Sequence, residues 1–430
     1  MLKNLRLNPW HYLMLSFIFI ILFGTFLLKM PFVKHDGGLS FIDALFTATS
    51  AVCVTGLTVV NTSGFNVPGQ IVLMFLMQLG AIGIMTLNAS LILLISGNID
   101  LKQQVSFSKL QDSISMKSSS GILKFILKIT FISEIIGFVL LSIGFHLQGL
   151  SWSDAAYEGV FHSISAFCNA GFSTFDNSLI GMNSIIKYTV MALIIVGGIG
   201  YVVVFEVYRK FSTHQRLGFH SKIVIFTSLL LIIVPTLFLY FTDSTLSSFT
   251  DSLFQSVTAR TAGFNSIDTA SLHTVTLMIV IILMFIGGSP GSTAGGIKTT
   301  TFFVSMVPVF KILRGDKTVV VNQKHIPHAV VLKAYAIITL YVLLIFIATV
   351  SLLLAYPNFT PLNTLFEVVS ATGTVGLSTG VTSEIATFGK IVLILCMYLG
   401  RIGPASLAMV KTTKDYQPRI LYPQEKINLG

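Results

Sequence analysis

Long apolar runs separated by short polar stretches set the pattern of this chain. The runs lie near residues 12–28, 70–95, 122–145, 185–207, 222–241, 274–312, 330–355 and 387–410. Each approaches the roughly 20 apolar residues that cross a bilayer as a helix. The pattern predicts an all-α membrane protein with eight transmembrane helices, the sixth of them interrupted. Between the members of each successive pair lies a segment too short and too polar to span. All four segments share one order: Phe, three residues, Ser or Thr, Ala, a spacer, then Gly and a large apolar residue. They run from Phe46 through Ser50-Ala51 to Gly56-Leu57, from Phe161 through Ser165-Ala166 to Gly171-Phe172, from Phe254 through Thr258-Ala259 to Gly263-Phe264, and from Phe366 through Ser370-Ala371 to Gly376-Leu377. The Ala-to-Gly step is five residues in three segments and four in the third, which predicts a slightly different shape there.

Four tandem units of span, pore helix and span follow. They cover 1–98, 99–212, 213–322 and 323–430, the last including a short cytoplasmic tail. Asp43, Asp154, Asp251 and Asn363 precede the four segments and are expected to cap half-helices that dip in from outside. Each second span carries a glycine echo: Gly80-Ala-Ile-Gly83, Gly197-Gly-Ile-Gly200 and Gly400-Arg-Ile-Gly403, with Gly287-Gly288 in the third unit. Close helix packing is the expected role of these glycines.

Irregular backbone at membrane depth survives only inside protein or around a wet cavity. Four Gly-containing loops in one chain converge most economically on one pseudo-fourfold axis, where carbonyl oxygens replace the hydration shell of a cation. The expected ion-binding filter is Val54-Thr55-Gly56, Asn169-Ala170-Gly171, Thr261-Ala262-Gly263 and Thr374-Val375-Gly376, with a monovalent cation at its carbonyls. The sixth run contains Gly287-Gly288-Ser289-Pro290-Gly291-Ser292-Thr293-Ala294-Gly295-Gly296. Five glycines and a proline in ten residues cannot stay helical. The segment 287–296 is expected to be either a mobile gate loop, with Lys298 a candidate anchor, or a static kink needed for packing. Arg401, at a depth where a guanidinium is costly, is expected to face the interior. Its alternatives are a barrier or loop-holding role and a structural pair with a buried carboxylate. Arg260 is expected to brace the third filter loop. Glu134 is expected to partner a basic residue, and Glu206 to meet headgroups or a neighbouring basic group.

Only 10% of the 430 residues are charged, against about 25% in soluble domains. The net charge of +10 does not point to nucleic acid. With both termini on one side, 20 of the 27 basic residues fall there, among them Lys3, Arg6, Lys102, Lys109, Lys117, Arg209, Lys210, Arg216, Lys311, Arg314 and Lys317. The positive-inside rule makes that side cytoplasmic. The opposite face holds Asp36, Asp43, Asp154, Glu158, Asp176, Asp243, Asp251, Asp268, Glu367 and Glu384. They are either a cation-concentrating mouth or ordinary solvated loop charges. Cys53, Cys168 and Cys396 lack metal-ligand spacing and read as small packing residues. No nucleotide-binding fingerprint occurs, so the chain is not an ATP-driven pump by itself. An enzyme is not expected: His162, Ser165 and Cys168 fall inside a pore unit.

The loops Val54-Thr55-Gly56-Leu57, Asn169-Ala170-Gly171-Phe172, Thr261-Ala262-Gly263-Phe264 and Thr374-Val375-Gly376-Leu377 resemble the filter loops of the Trk/Ktr/HKT superfamily of K⁺ transporters. The first unit starts almost at Met1, so the chain is most similar to the Ktr-type membrane subunit, KtrB. The resemblance implies channel-like potassium uptake across the plasma membrane, with Na⁺ a candidate activator. It implies a basic residue beneath the filter at Arg401 and a movable loop at 287–296. It also implies a homodimer and a cytosolic KtrA-like ring of nucleotide-binding RCK domains. The tail and the loops near 209–222 and 311–328 are candidate contacts for that ring. An alternating-access Na⁺/K⁺ symporter with a midplane site is the alternative.

Overall fold

The structure of the protein, a computed structural model, describes residues 9–34, 38–96, 119–246, 248–316 and 318–403. Lys3, Arg6, Asp36, Lys102, Lys109, Lys117, Lys317 and the tail from residue 404 lie outside the described residues.

The helix α1 (Pro9–Leu28) leads to the short α2 (Phe41–Val52), and α3 (Val67–Ser96) follows. The order recurs in α4 (Ser119–Leu147), α5 (Trp152–Cys168) and α6 (Ser184–Ile199), after which α7 (Tyr201–Thr213) departs at 102°. It recurs again in α8 (Phe219–Thr242), α9 (Phe249–Thr258) and α10 (Thr274–Phe285), followed by an irregular loop and α11 (Thr299–Leu313). A two-residue antiparallel pair, β1 (Val320–Val321) and β2 (Lys324–His325), precedes the fourth set. That set is α12 (His328–Ala355), α13 (Pro361–Gly373), the single turn α14 (Val381–Glu384) and α15 (Thr387–Ile402).

Among the described residues four helices, α3, α4, α8 and α12, are long and apolar enough to cross a membrane, or five if the bent α6–α7 pair counts as one. Of the eight expected spans, the first and last runs extend beyond the residues searched, and two others are broken. The 274–312 run breaks at the glycine-rich loop, and the last run is helical only from Thr387 to Ile402 among the described residues. The 185–207 run also breaks, at Gly200. There φ is +92°, a region open to glycine and closed to most side chains. Glu206 therefore sits on a helix outside the span. Its carboxylate accepts the Gly218 N–H at 2.7 Å, rather than meeting a basic group.

The four short helices begin alike, but not through the expected caps. Ser40, Ser151, Ser248 and Thr360 are the N-caps, each accepting from the backbone N–H of Asp43, Asp154, Asp251 or Asn363, three positions on. The three aspartates accept in return from the cap hydroxyls at 2.7 Å. This is a capping box with the acidic residue at its third position, favoured by the helix dipole.

The second helix of each set packs against the short helix of the next: α3 on α5, α6 on α9, α10 on α13, and α15 back on α2. Two of these seams carry ion pairs. Lys187 on α6 meets Asp251 at 2.7 Å, and Lys390 on α15 meets Asp43 at 2.6 Å. Burial pushes the Asp251 carboxyl up, but hydrogen bonds from Lys187 and Ser248 outweigh it and hold the group below its usual 3.8. A value lowered in the fold gives stability that is complete above 3.8 and lost as pH falls through the lowered value. Asp251→Asn is therefore expected to lower thermal stability at neutral pH. The gap from wild type should close as pH falls from about 5 toward about 2. A gap independent of pH in thermal unfolding would mean the Lys187 pair contributes nothing.

The core runs along the pattern read from the sequence. Phe46, Phe161, Phe254 and Phe366 are fully buried, as are Ala51, Ala166, Ala259 and Ala371. The outer surfaces of α1, α4, α8 and α12 expose Phe19, Phe26, Ile135, Ile136, Ile233, Val234, Phe346 and Leu354. An apolar exterior around a core containing buried polar groups suits lipid as the surrounding solvent.

Candidate functional site

All four short helices end in a tight non-helical loop. Val54, Asn169, Thr261 and Thr374 adopt positive φ, and so do Gly56, Gly171, Gly263 and Gly376. One brace holds each loop to its helix. The N–H groups of Thr55, Ala170, Ala262 and Val375 donate to the carbonyls of Ser50, Ser165, Thr258 and Ser370 at 2.8–2.9 Å. The same four hydroxyls then bond across the glycine. Ser50 and Ser370 accept from Gly56 and Gly376 N–H, while Ser165 and Thr258 donate to the Phe172 and Phe264 carbonyls. The one-residue-shorter third loop keeps the brace. These hydroxyl residues appeared in the sequence as a recurring position without a role; their fixed place before the Ala was the available signal.

The loops meet in a closed ring. A Cβ added to Gly56 would fall on the Ala170 carbonyl, one on Gly171 on that of Ala262, one on Gly263 on that of Val375, and one on Gly376 on that of Thr55. In each case the next glycine's Cα lies 3.0–3.2 Å from that position. The twelve expected filter residues are thus brought together, with Thr55, Ala170, Ala262 and Val375 carbonyls in one circle. The Thr55, Thr261 and Thr374 hydroxyls are buried without a hydrogen-bond partner. Above the ring opens a cavity of about 350 Å³ lined by all four glycines.

Of the acidic residues, only Asp176 and Asp268 line this cavity among the described residues. Among the described residues, several of the others are engaged in contacts away from the cavity, while Glu384 is exposed. Asp43 and Asp251 are in the ion pairs above. Fully buried Glu367 accepts from Ser378, Thr379 and Thr382 behind the fourth loop. Glu158 accepts from Thr174, and His162 Nε2 lies 2.9 Å from Ser173 Oγ, both behind the second loop.

Beneath the ring lies the glycine-rich loop. Ile286 and Ile297 pair as a parallel bridge, so residues 287–296 project as a closed loop between α10 and α11. Nearly all of it is buried. Ser289 and Thr293 N–H donate to the Gly198 and Gly197 carbonyls of α6 at 3.0 and 3.1 Å, and Tyr201 N–H donates to the Gly291 carbonyl at 3.1 Å. Lys298 Nζ donates to the Ala294 carbonyl at 2.6 Å. A Cβ on Gly295 would strike Thr374 Oγ1, so the loop touches the underside of the ring.

Arg401 is 5% exposed and donates to the Thr293 carbonyl of this loop and to the Gly80 carbonyl at 3.1 Å. Its partners are carbonyls, with no carboxylate among the described ion pairs. Arg260 reaches Ser228 on α8 rather than its own loop. Glu134 has no basic partner; it accepts from Gln78 at 3.1 Å, and Gln78 in turn accepts from Cys168. The three cysteines are free and buried.

The echo glycines separate into different roles. Cβ atoms on Gly80, Gly197 and Gly400 would fall on the Val52, Phe167 and Thr372 carbonyls at the short-helix ends, whereas nothing lies within 4 Å of one on Gly83. Gly83→Ala is therefore expected to stabilise the protein by up to about 1 kcal/mol through helix propensity. Gly80→Ala should destabilise it by about 2 kcal/mol through overpacking. The fraction of detergent-solubilised protein surviving a heating series measures both.

Comparison with known proteins shows the family and the fold. A family model described as TrkH, cation transport protein, matches residues 12–421. The chain is 36% identical to the Ktr system potassium uptake protein B of Bacillus subtilis, over 100% of this chain and 98% of that one. It is also 36% identical to the potassium/sodium uptake protein NtpJ of Enterococcus hirae, over 99% and 98% of the two chains. The crystal structure of the potassium transporter TrkH from Vibrio parahaemolyticus superposes with a TM-score of 0.73 at 22% identity, covering 96% of this chain and 86% of that one, which shows a shared fold. These relatives are transport proteins, in keeping with a chain that is not an enzyme. By sequence match and by fold, the chain belongs to the TrkH family of cation transport proteins and is an integral membrane protein.

Proposed function

We propose that the chain is a channel-like potassium uptake pathway in which K⁺ passes along the axis of the four-loop ring. The closed circle of glycine–carbonyl contacts carries this reading. Carbonyls held at fixed spacing replace water around a dehydrated ion, and the four short helices turn their negative ends toward it. Buried, unpartnered threonine hydroxyls at the ring add oxygen where the ion would sit. Asp176 and Asp268 raise the local cation concentration at the entrance.

The four units 1–98, 99–212, 213–322 and 323–430 each supply one quadrant. The loop 287–296 closes the pathway below the ring, and Arg401 holds it shut through the Thr293 carbonyl while adding a positive barrier on the axis. Opening withdraws the loop. The chain works as a homodimer in the plasma membrane with both termini cytoplasmic. A KtrA-like nucleotide-binding ring acts on its inner face. Sodium serves as a co-transported or activating ion at most, a question raised by the potassium/sodium name of one relative.

Expression in a host lacking its own K⁺ uptake tests the proposal. Restored growth and Rb⁺ uptake at low external K⁺ are expected, driven by membrane potential and with unitary currents in planar bilayers. Flux coupled stoichiometrically to a second ion would replace the channel-like reading with an alternating-access carrier, and absence of uptake from membranes that contain the protein would overturn both.

A further inference from the structure

Two helix ends attached to the 287–296 loop share one surface chemistry. Immediately after the 102° bend at Gly200, α7 ends in Tyr208-Arg209-Lys210-Phe211, with Tyr208 63% and Phe211 77% exposed. At the far side of the loop, α11 ends with Phe310 62% exposed and with Arg314 at its C-cap. Glu206 on α7 accepts the Gly218 N–H and Asp316 pairs with Lys311; among the described residues neither is in an ion pair with Arg209, Lys210 or Arg314. α7 turns through 102° from α6, so where α6 crosses the membrane α7 lies roughly parallel to its plane. Basic and aromatic side chains together at that depth match anionic headgroups and the acyl boundary beneath them.

We infer that Arg209 and Lys210, flanked by Tyr208 and Phe211, form a docking surface for anionic phospholipid of the cytoplasmic leaflet. Occupancy of this surface bears on the 287–296 loop. The mechanical link is short: Tyr201 N–H donates to the Gly291 carbonyl at 3.1 Å, a Cβ on Gly291 would meet the Tyr201 ring, and one on Gly200 would fall on the Pro290 carbonyl. A lipid that fixes α7 against the membrane fixes the loop's outer edge with it. The docking stands on geometry and charge; its effect on flux rests on the gate reading above.

Retention of phosphatidylglycerol by the full chain in phosphatidylcholine nanodiscs, read by mass spectrometry, tests the site without any flux. The double variant Arg209→Gln, Lys210→Gln is expected to retain it roughly thirtyfold less well, at about fivefold per basic residue. The pair Arg209→Lys, Lys210→Arg should retain it like wild type. Equal retention by wild type and the Gln variant overturns the site. Unchanged retention with impaired binding of a soluble regulatory ring assigns the surface to a protein and also overturns it. In liposomes, Rb⁺ flux should change with phosphatidylglycerol content in wild type and not in the Gln variant. An equal response in both overturns the coupling, and the loop deletion described below tests the gate itself.

Discussion

Gly263→Ala is expected to cut Rb⁺ uptake at least roughly a hundredfold while leaving the protein in the membrane. At φ +80° an alanine is strained by about 1–3 kcal/mol. Its Cβ would also fall on the Val375 carbonyl, 3.1 Å from Gly376 Cα. The neighbouring loop cannot simply retreat. Val375 N–H is held by the Ser370 carbonyl at 2.8 Å, and Gly376 N–H by its hydroxyl at 3.1 Å. The ring must open at this seam, and a displacement of a fraction of an ångström removes carbonyl coordination from a dehydrated ion. Uptake is measured beside membrane abundance and thermal survival, so that loss of flux is separated from loss of protein. Wild-type uptake from this variant would remove the ring from the pathway.

Deleting Gly291–Gly295 is expected to raise basal flux about tenfold or more in liposomes containing the chain alone. The deletion removes the Thr293 bonds to Gly197 and Arg401 and the Gly291 bond to Tyr201. At about 0.5–1.5 kcal/mol per hydrogen bond, their loss shifts a closed–open balance by one to two orders of magnitude. The Ile286–Ile297 bridge keeps α10 and α11 in register when the loop between them shortens. Arg401→Gln should give a smaller rise in the same assay, since the backbone bonds to α6 persist. Flux unchanged by the deletion would make the loop a packing element.

Much of this arrangement was legible in the chain because its repeats are local. The Phe-to-Gly segments fix helix, brace and loop within about a dozen residues, and all four buried phenylalanines and alanines lie where that pattern put them. Long-range consequences were not legible. Gly83 and Gly200 occupy the same place in their echoes, yet the first continues a helix and the second ends one. A Cβ at Gly200 would fall on the Pro290 carbonyl of another unit, whereas nothing lies within 4 Å of one at Gly83. Asp43 looked like a cap because acidic residues favour helix starts; the hydroxyl three positions earlier competes better for the free N–H, leaving the carboxylate to reach Lys390, 347 residues away. Likewise the outer-face acids looked alike as charges. Only folding separates Glu367, buried behind a loop, from Asp176, facing open solvent. Arg401 was conspicuous by its cost, but its partners are carbonyls from two distant units, which no spacing encodes.

Closing the circle within a single polypeptide frees each quadrant to differ. Four identical subunits would have to place four guanidinium groups at the level of Arg401, a few ångströms apart in a low-dielectric shaft, where like-charge repulsion would be severe. They would also crowd four projecting loops into the space that one fills. Within one chain the third unit supplies the 287–296 loop, the fourth the Arg401 guanidinium that bonds it, and the second the Gly197 and Gly198 carbonyls against which it rests, so under the proposed gating obstruction and release fall to a lopsided device inside a nearly symmetric shell.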